Sequence, residues 1–278
     1  MATTRRRLDA ELVRRGLVPS RQQARAAIDA GRVTVAGAPA TKSSRMVAAH
    51  EPVLLTGDGP RFVGRGGEKL DAALDRFAVP VAGRRALDAG ASTGGFTDCL
   101  LQRGAAEVVA VDVGYGQLHE RLREDPRVVV RERTNVRDLA PGDLGDPFPL
   151  VVADLSFISL RAVAAPLVGL AAAGADLVWL VKPQFEAGRE EAARGRGVVR
   201  DPDVWRRVLA EVGSALGALG AAIMGVMASP LRGADGNVEF LLHARTPPVP
   251  PTPAGAPVEF DALVEAAVAE AEATTVGG

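Results

Sequence analysis

The chain has 278 residues, 47% of them hydrophobic, enough to bury a sizeable core in one large domain and one small one, which excludes a disordered chain. Its single cysteine, Cys99, excludes a disulfide framework and a multi-thiolate zinc site and fits a reducing compartment, read here as the cytoplasm. The net charge of −1 conceals an asymmetry: residues 1–50 hold ten Lys or Arg against three acids, so a head of +7 precedes a body of −8 and points to a polyanionic partner.

The first residues, Met1-Ala-Thr-Thr-Arg-Arg-Arg7, run into a charged helical pattern and lack the apolar core of a signal peptide. No run of 18 apolar residues follows, since the stretch from Leu160 to Leu180 carries Arg161, Pro166 and Asp176, so no membrane-spanning segment is expected. Leu8, Leu12 and Val13 recur at helical spacing up to a stop at Gly16. Ser20 reads as the N-cap of a second helix, Arg21 to Ala30, with an apolar stripe of Ala24, Ala27 and Ile28 and an end at Gly31. Arg32-Val-Thr-Val-Ala-Gly37 reads as a short strand with a turn, and Pro52-Val-Leu-Leu55 as another. Two basic helices and a small hairpin within about 60 residues resemble the S4-like RNA-binding domain, an α+β unit that meets RNA through phosphates and shape. Arg5, Arg6, Arg7, Arg14, Arg21, Arg25 and Arg32 are its candidate contacts, with Arg65 beyond it.

The Gly57–Arg61 turn separates the halves. The division read from the sequence is an RNA-binding domain over 1–59, a linker over 60–64, a catalytic domain over 65–245 and a proline-rich linker with a helical tail over 246–278. The second half alternates strands and helices, which predicts an α/β domain with a parallel sheet covered on both faces. Strands are expected at Arg85–Asp88, Val108–Asp112, Val128–Val130, Leu150–Asp154, Asp176–Val181, Ala221–Ala228 and Val238–Ala244, seven as in a Rossmann-like methyltransferase sheet. Thr246-Pro-Pro-Val-Pro-Pro-Thr-Pro253 reads as a stiff spacer before an acidic, Ala-rich helix near Phe260–Ala271.

The strand Arg85–Asp88 runs into Ala89-Gly90-Ala91-Ser92-Thr93-Gly94-Gly95-Phe96 and then a helix, so glycine lets the backbone approach a ligand at a helix N-terminus. Asp112 ends the next strand, 22 residues after Gly90, where a ribose diol is clasped. A dinucleotide fold calls for G-x-G-x-x-G, whereas the turn here is D-x-G-x-x-x-G-G, with Asp88 suited to an ammonium and poorly suited to a pyrophosphate. That favours S-adenosylmethionine over NAD, with Asn135 and Val136 facing the adenine. The plain alternative is an ordinary glycine-rich turn.

Polar residues interrupt three further apolar strands: Asp154 before Leu155-Ser-Phe-Ile-Ser159, Lys182 before Pro183-Gln-Phe185, and Glu239 within Asn237-Val-Glu-Phe240. A lysine at the end of a central strand needs a carboxylate or a substrate to meet it. Lys69 follows Arg65-Gly-Gly-Glu68. Each has a bland reading, Lys69 and Glu239 as solvent-facing residues and Asp154 as a helix cap.

These motifs together, with Asp112-Val-Gly-Tyr-Gly-Gln-Leu118 and Val181-Lys-Pro-Gln-Phe-Glu186, resemble the TlyA group of bacterial ribosomal RNA 2′-O-methyltransferases, related in their catalytic half to FtsJ-like enzymes. The resemblance implies a Lys-Asp-Lys-Glu tetrad on Lys69, Asp154, Lys182 and Glu239, S-adenosylmethionine as cofactor, and cytidine in 16S and 23S ribosomal RNA as target. The chemistry expected is in-line methyl transfer to a ribose 2′-hydroxyl, which Lys182 orients, or deprotonates where its surroundings lower its pKa from the ordinary value of about 10.4, with Asp154 and Glu239 holding the lysines. The expected partner is ribosomal RNA or a ribosomal subunit, with a monomeric chain and neither a metal nor a membrane.

Rivals differ in sequence. A base N-methyltransferase carries Asp/Asn-Pro-Pro-aromatic where Asp154-Leu-Ser-Phe157 stands, and a C5 methyltransferase needs a cysteine nucleophile, whereas Cys99 reads as core. Two other classes are a non-enzymatic RNA-binding or ribosome-assembly protein and a membrane-active haemolysin, a name the resembling family also bears. His50, His119 and His243 lack ligand spacing.

Overall fold

Leu87, Val109, Val151 and Leu177 belong to one buried cluster and their strand neighbours Ala86, Val108, Leu150 and Val178 to another. Strands apolar on both faces must be covered on both, and that requirement sets the layers of the larger part of the chain. The computed structural model describes residues 5–18, 20–57, 61–188, 191, 195, 197–248 and 259–276, in two units, Met1–Arg61 and Phe62–Gly278. Of the stretches read as linkers, residues 58–60 and 249–258 lie outside the described residues.

The first unit contains β1 (Arg5–Arg7), α1 (Leu8–Arg14), α2 (Arg21–Asp29), β2 (Val33–Val35), β3 (Ala38–Pro39), β4 (Met46–Ala48) and β5 (Val53–Leu55). Ser20 caps α2, its Oγ accepting from the Gln23 amide at 3.2 Å. Leu8, Leu12, Ala27, Ile28, Val33 and Val47 form its core. The expected hairpin is a three-stranded sheet, β3-β2-β5. Arg5–Arg7, ahead of the first helix, pairs antiparallel with β4.

The second unit runs α3 (Gly66–Arg76), β6 (Arg85–Ala89), α4 (Gly95–Gln102), β7 (Glu107–Val111), α5 (Glu120–Arg123), β8 (Val128–Arg131), β9 (Phe148–Ala153), α6 (Leu160–Leu170), β10 (Ala171–Val181), α7 (Pro183–Glu186), α8 (Pro202–Ala218), β11 (Ala222–Ala228), β12 (Phe240–Arg245) and α9 (Phe260–Val276). Seven strands form one sheet in the order β11-β12-β10-β9-β6-β7-β8. The sheet is not parallel throughout: β12 runs antiparallel to β10 and β11, because the connection from β11, residues 229–239, holds no crossover α-helix such as a parallel return would need. Residues of α3 and α4 cover one face, and those of α6, α8 and α9 the other.

The last helix belongs to this core. Val264, Ala267, Val268 and Ala271 are buried, and the Phe260 ring fills the space beside Gly213, where a Cβ would come within 2.3 Å of it. β6 pairs with β7 on one side and β9 on the other, the chain running outward from β6 through β7 to β8 and then crossing back to β9. That reversal opens a crevice at the C-terminal strand ends.

Candidate active site

Asp112 and Asp154 each stand one residue beyond a strand, and Glu239 one residue before β12, so the polar residues read as strand ends are the first residues free of the ladder. Gly90 follows β6 at φ +89°, and a Cβ there would meet the Asp154 carbonyl oxygen at 2.6 Å. Only glycine lets the β6 and β9 ends approach so closely. Gly94, at φ +99°, opens α4, where a Cβ would fall 2.2 Å from Leu122.

A cleft of about 460 Å³ lies over this turn, walled by Gly90, Ser92, Asp112, Asn135, Val136 and Asp154, together with Gln117 and the Leu155–Ile158 segment. The Asp112 carboxylate accepts from the Ser92 and Gly114 amides, both at 2.7 Å, which fixes it in the wall. Thr93, Gly94, Gly95 and Phe96, expected at the cofactor, are not in the wall. Gly94, Gly95 and Phe96 are buried, packed against Leu122, Gly67 and the α3 side of the core. Asp88 is not in the wall either. It is fully buried, one oxygen accepting from Thr97 Oγ1 at 2.6 Å and the other lacking a hydrogen-bond partner among the described residues. Burial pushes its carboxyl up to about 7 against the Thr97 hydrogen bond, and the nearby Asp154 and Asp112 charges add to the rise. Two carboxylates, Asp112 and Asp154, therefore face the cleft at the glycine turn and make a wall that disfavours a pyrophosphate, with the Asp88 carboxyl buried behind them.

The four residues of the expected tetrad meet as two ion pairs. Lys182 Nζ lies 2.5 Å from Asp154 Oδ1, a charge contact off the hydrogen-bond direction, and donates to Ser156 Oγ at 3.0 Å. Lys69, on α3, pairs with Glu239. Both members of that second pair are buried, so neither is the solvent-facing residue of the bland reading. Asp154 is not a helix cap, since Ser159 caps α6. The pairs are neighbours through α3: a Cβ on Gly66, one turn before Lys69, would stand 3.5 Å from Asp154 Oδ2.

Several residues at the site carry no signal in a single sequence. Ser156 becomes visible only through Lys182. Phe157, in the wall, is 91% exposed at φ +64°, its ring centroid 5.1 Å from that of Phe185. Glu186 is buried and accepts from Ser159 Oγ and the Leu160 amide. Burial raises its pKa against those two hydrogen bonds.

The head's arginines are organised by two buried acids. Asp9 takes Arg7 at 3.1 Å, Arg21 at 2.8 Å and Arg25 at 3.6 Å, while Glu11 takes Arg14 at 2.5 Å and Arg15 at 2.8 Å. Arg5 pairs with Glu51 at 3.5 Å, Arg6 is exposed and Arg32 half-buried. Arg65, in the second unit, donates to the Arg232 carbonyl at 2.8 Å. Of the histidines, His243 pairs with buried Asp176 at 2.9 Å and His119 caps α5, both structural contacts.

The FtsJ-like methyltransferase family matches residues 62–246, and the S4 domain family matches residues 6–53. The chain is 56% identical over 243 residues, covering 87% of itself and 90% of its relative, to the 16S/23S rRNA (cytidine-2′-O)-methyltransferase TlyA of Mycobacterium tuberculosis. It is 38% identical over 239 residues, covering 85% of itself and 98% of its relative, to Hemolysin A of Brachyspira hyodysenteriae. Among solved structures, one described as a hemolysin from Streptococcus thermophilus superimposes with a TM-score of 0.74 at 36% identity, over 99% of this chain and 100% of that one.

Proposed function

The chain belongs to the FtsJ-like methyltransferases, with an S4 domain ahead of the catalytic one, and from that premise we propose that it transfers methyl from S-adenosylmethionine to the ribose 2′-hydroxyl of cytidine in 16S and 23S ribosomal RNA. The observation that carries the reading is the pairing of Lys182 with Asp154, and of Lys69 with Glu239, at the rim of a carboxylate-lined cleft.

When bound, the cofactor supplies an electrophilic methyl on a sulfonium. Asp112 would hold its ribose, Asn135 and Val136 its adenine, and Asp154 would draw its positive end towards the glycine turn. A ribose hydroxyl is a weak nucleophile until the charge growing on its oxygen is met. The Lys182 ammonium meets that charge, and Asp154 and Ser156 keep it aimed. Lys69 and Glu239 neutralise one another and fix α3 beside Asp154, so a single positive group faces the substrate oxygen. The RNA partner is held through phosphates, where the arginines on Asp9 and Glu11 present fixed cations. Arg65 would add a contact from the catalytic unit. A ribosomal RNA substrate would put the activity in the cytoplasm. Among the described residues no helix is long and apolar enough to cross a membrane.

The test is methyl incorporation from labelled S-adenosylmethionine into purified 30S and 50S subunits, with the product mapped for 2′-O-methylcytidine. Label on a base, or none with either subunit, would overturn the reading.

A further inference from the structure

The loop between β9 and α6 is fastened at both ends to the same short segment after β10. At its start, Asp154 and Ser156 hold Lys182, at 2.5 and 3.0 Å. At its end, Ser159 Oγ donates to Glu186 at 2.5 Å and the Leu160 amide donates to the other carboxylate oxygen at 2.6 Å. Glu186 lies four residues after Lys182, so α7 spans the gap between the two fastenings.

Closing α6 does not require this acid. Ser159 already caps the helix by accepting from the Arg161 amide, and the Arg161 guanidinium is shared between Glu211 at 2.7 Å and the Glu186 carboxylate at 3.5 Å. A carboxylate with a side chain only 2% exposed, whose two close partners are one hydroxyl and one amide and whose one cation, Arg161, is 3.5 Å away and 40% exposed, is an unfavourable way to close a helix unless its rigidity matters. Phe157, midway along the loop, supplies an independent sign of constraint. A bulky residue at φ +64° that is 91% exposed persists only where its surroundings dictate the backbone, and the surroundings here are the Glu186 clasp and the Phe185 ring.

We infer that Glu186 is a positioning residue for methyl transfer: by clasping Ser159 and Leu160 it sets the loop that places Ser156 and Phe157 around Lys182. It touches neither substrate nor cofactor, and it acts through Ser159. The inference rests on the reading of Lys182 as the group that meets the substrate oxygen.

The test uses the full chain with labelled S-adenosylmethionine and ribosomal subunits, comparing Glu186→Gln and Ser159→Ala with the parent and with Lys182→Ala. A glutamine offers one acceptor oxygen and presents a donor to the Leu160 amide or to the hydroxyl. Turnover should fall about tenfold to a hundredfold in Glu186→Gln, and less in Ser159→Ala. The KM for subunits should stay near the parent value, and the cofactor Kd, whose cleft the same loop walls, should shift by less than turnover falls; Glu186→Gln should keep the parental melting temperature, while Ser159→Ala, which also removes the α6 cap, should melt somewhat lower. Should Glu186→Gln fail to fold, Ser159→Ala decides alone. Parental kcat in the folded variants would overturn the inference, as would a loss of cofactor affinity and melting temperature that tracks the loss of kcat. Full turnover in Lys182→Ala would instead overturn the transfer reading beneath it.

Discussion

Lys182 Nζ stands 2.5 Å from Asp154 Oδ1, each residue the first beyond one of two hydrogen-bonded parallel strands, β10 and β9. The sheet therefore fixes the pair, and no flexible loop carries the ammonium. Lys182→Ala should reduce methyl transfer by about 10²- to 10⁴-fold. Lys182 is outside the cleft wall, so cofactor affinity should change little, whereas Asp154→Asn alters the wall itself and should weaken both. Single-turnover rates beside calorimetric cofactor binding separate the two, and parental binding in Asp154→Asn would remove that residue from the cofactor site.

Lys69 and Glu239 form a buried pair, and each alone is an uncompensated charge. Lys69→Met should destabilise the protein by about 3–5 kcal/mol, because Glu239 remains without its partner. The double variant Lys69→Met/Glu239→Leu should recover most of that stability and stay inactive. Denaturant unfolding of the three proteins gives the comparison. A double variant as unstable as the single one would show that packing, not charge, is what the pair supplies.

Asp88 makes the catalytic unit less stable as pH rises. Its carboxyl ionises near 3.8 when unfolded and near 7 when folded, so the folded state binds the extra proton between those values. The stability this proton confers is fully present below about 3.8 and is lost as pH climbs through about 7, an effect of at most about 4 kcal/mol. Asp88→Asn keeps an acceptor for Thr97 and removes the titration, so its melting temperature should gain on the parent's from pH 5 to pH 8. Parallel pH profiles would exclude Asp88 as the group responsible.

Polar residues at apolar strand ends were legible in the sequence because they break a pattern that burial otherwise enforces: Asp112, Asp154 and Lys182 follow their strands as the period implies. Partnership was not. Lys69 and Glu239 lie on α3 and beside β12, and nothing local pairs them. Glu186 looks like any acid in a short helix until Ser159 is brought to it. Neither the reversed β12 nor the packed α9 is written locally: the first depends on how the chain returns after β11, the second on which surface the apolar residues of the helix meet. Asp88 shows the limit differently: the residue type and position suited a cation, while the burial that raises its proton affinity arises from α4 folding over it.

Asp9 separates a charge argument from a geometric one. Replacing it with Asn raises the net charge of the head by one, and phosphate attraction alone would then predict tighter RNA binding. The structure predicts the opposite, because Asp9 is buried and holds Arg7, Arg21 and Arg25 in one patch. Releasing a guanidinium costs about 0.5–1.5 kcal/mol of ordering on binding, so affinity should fall about fivefold for each arginine freed. The same variant should lose stability at neutral pH. The Arg7 hydrogen bond, with Arg21, holds the Asp9 carboxyl far below its ordinary value, so its stabilisation is present above about 3.8 and disappears as pH falls below that. Parent and Asp9→Asn should therefore converge in acid. Anisotropy titrations of a ribosomal RNA fragment between 50 and 200 mM salt, roughly the range over which phosphate contacts weaken steeply, give the affinity and its salt slope. Tighter binding by Asp9→Asn would mean that the arginines act as free charges and that the buried acid does not shape the surface RNA meets.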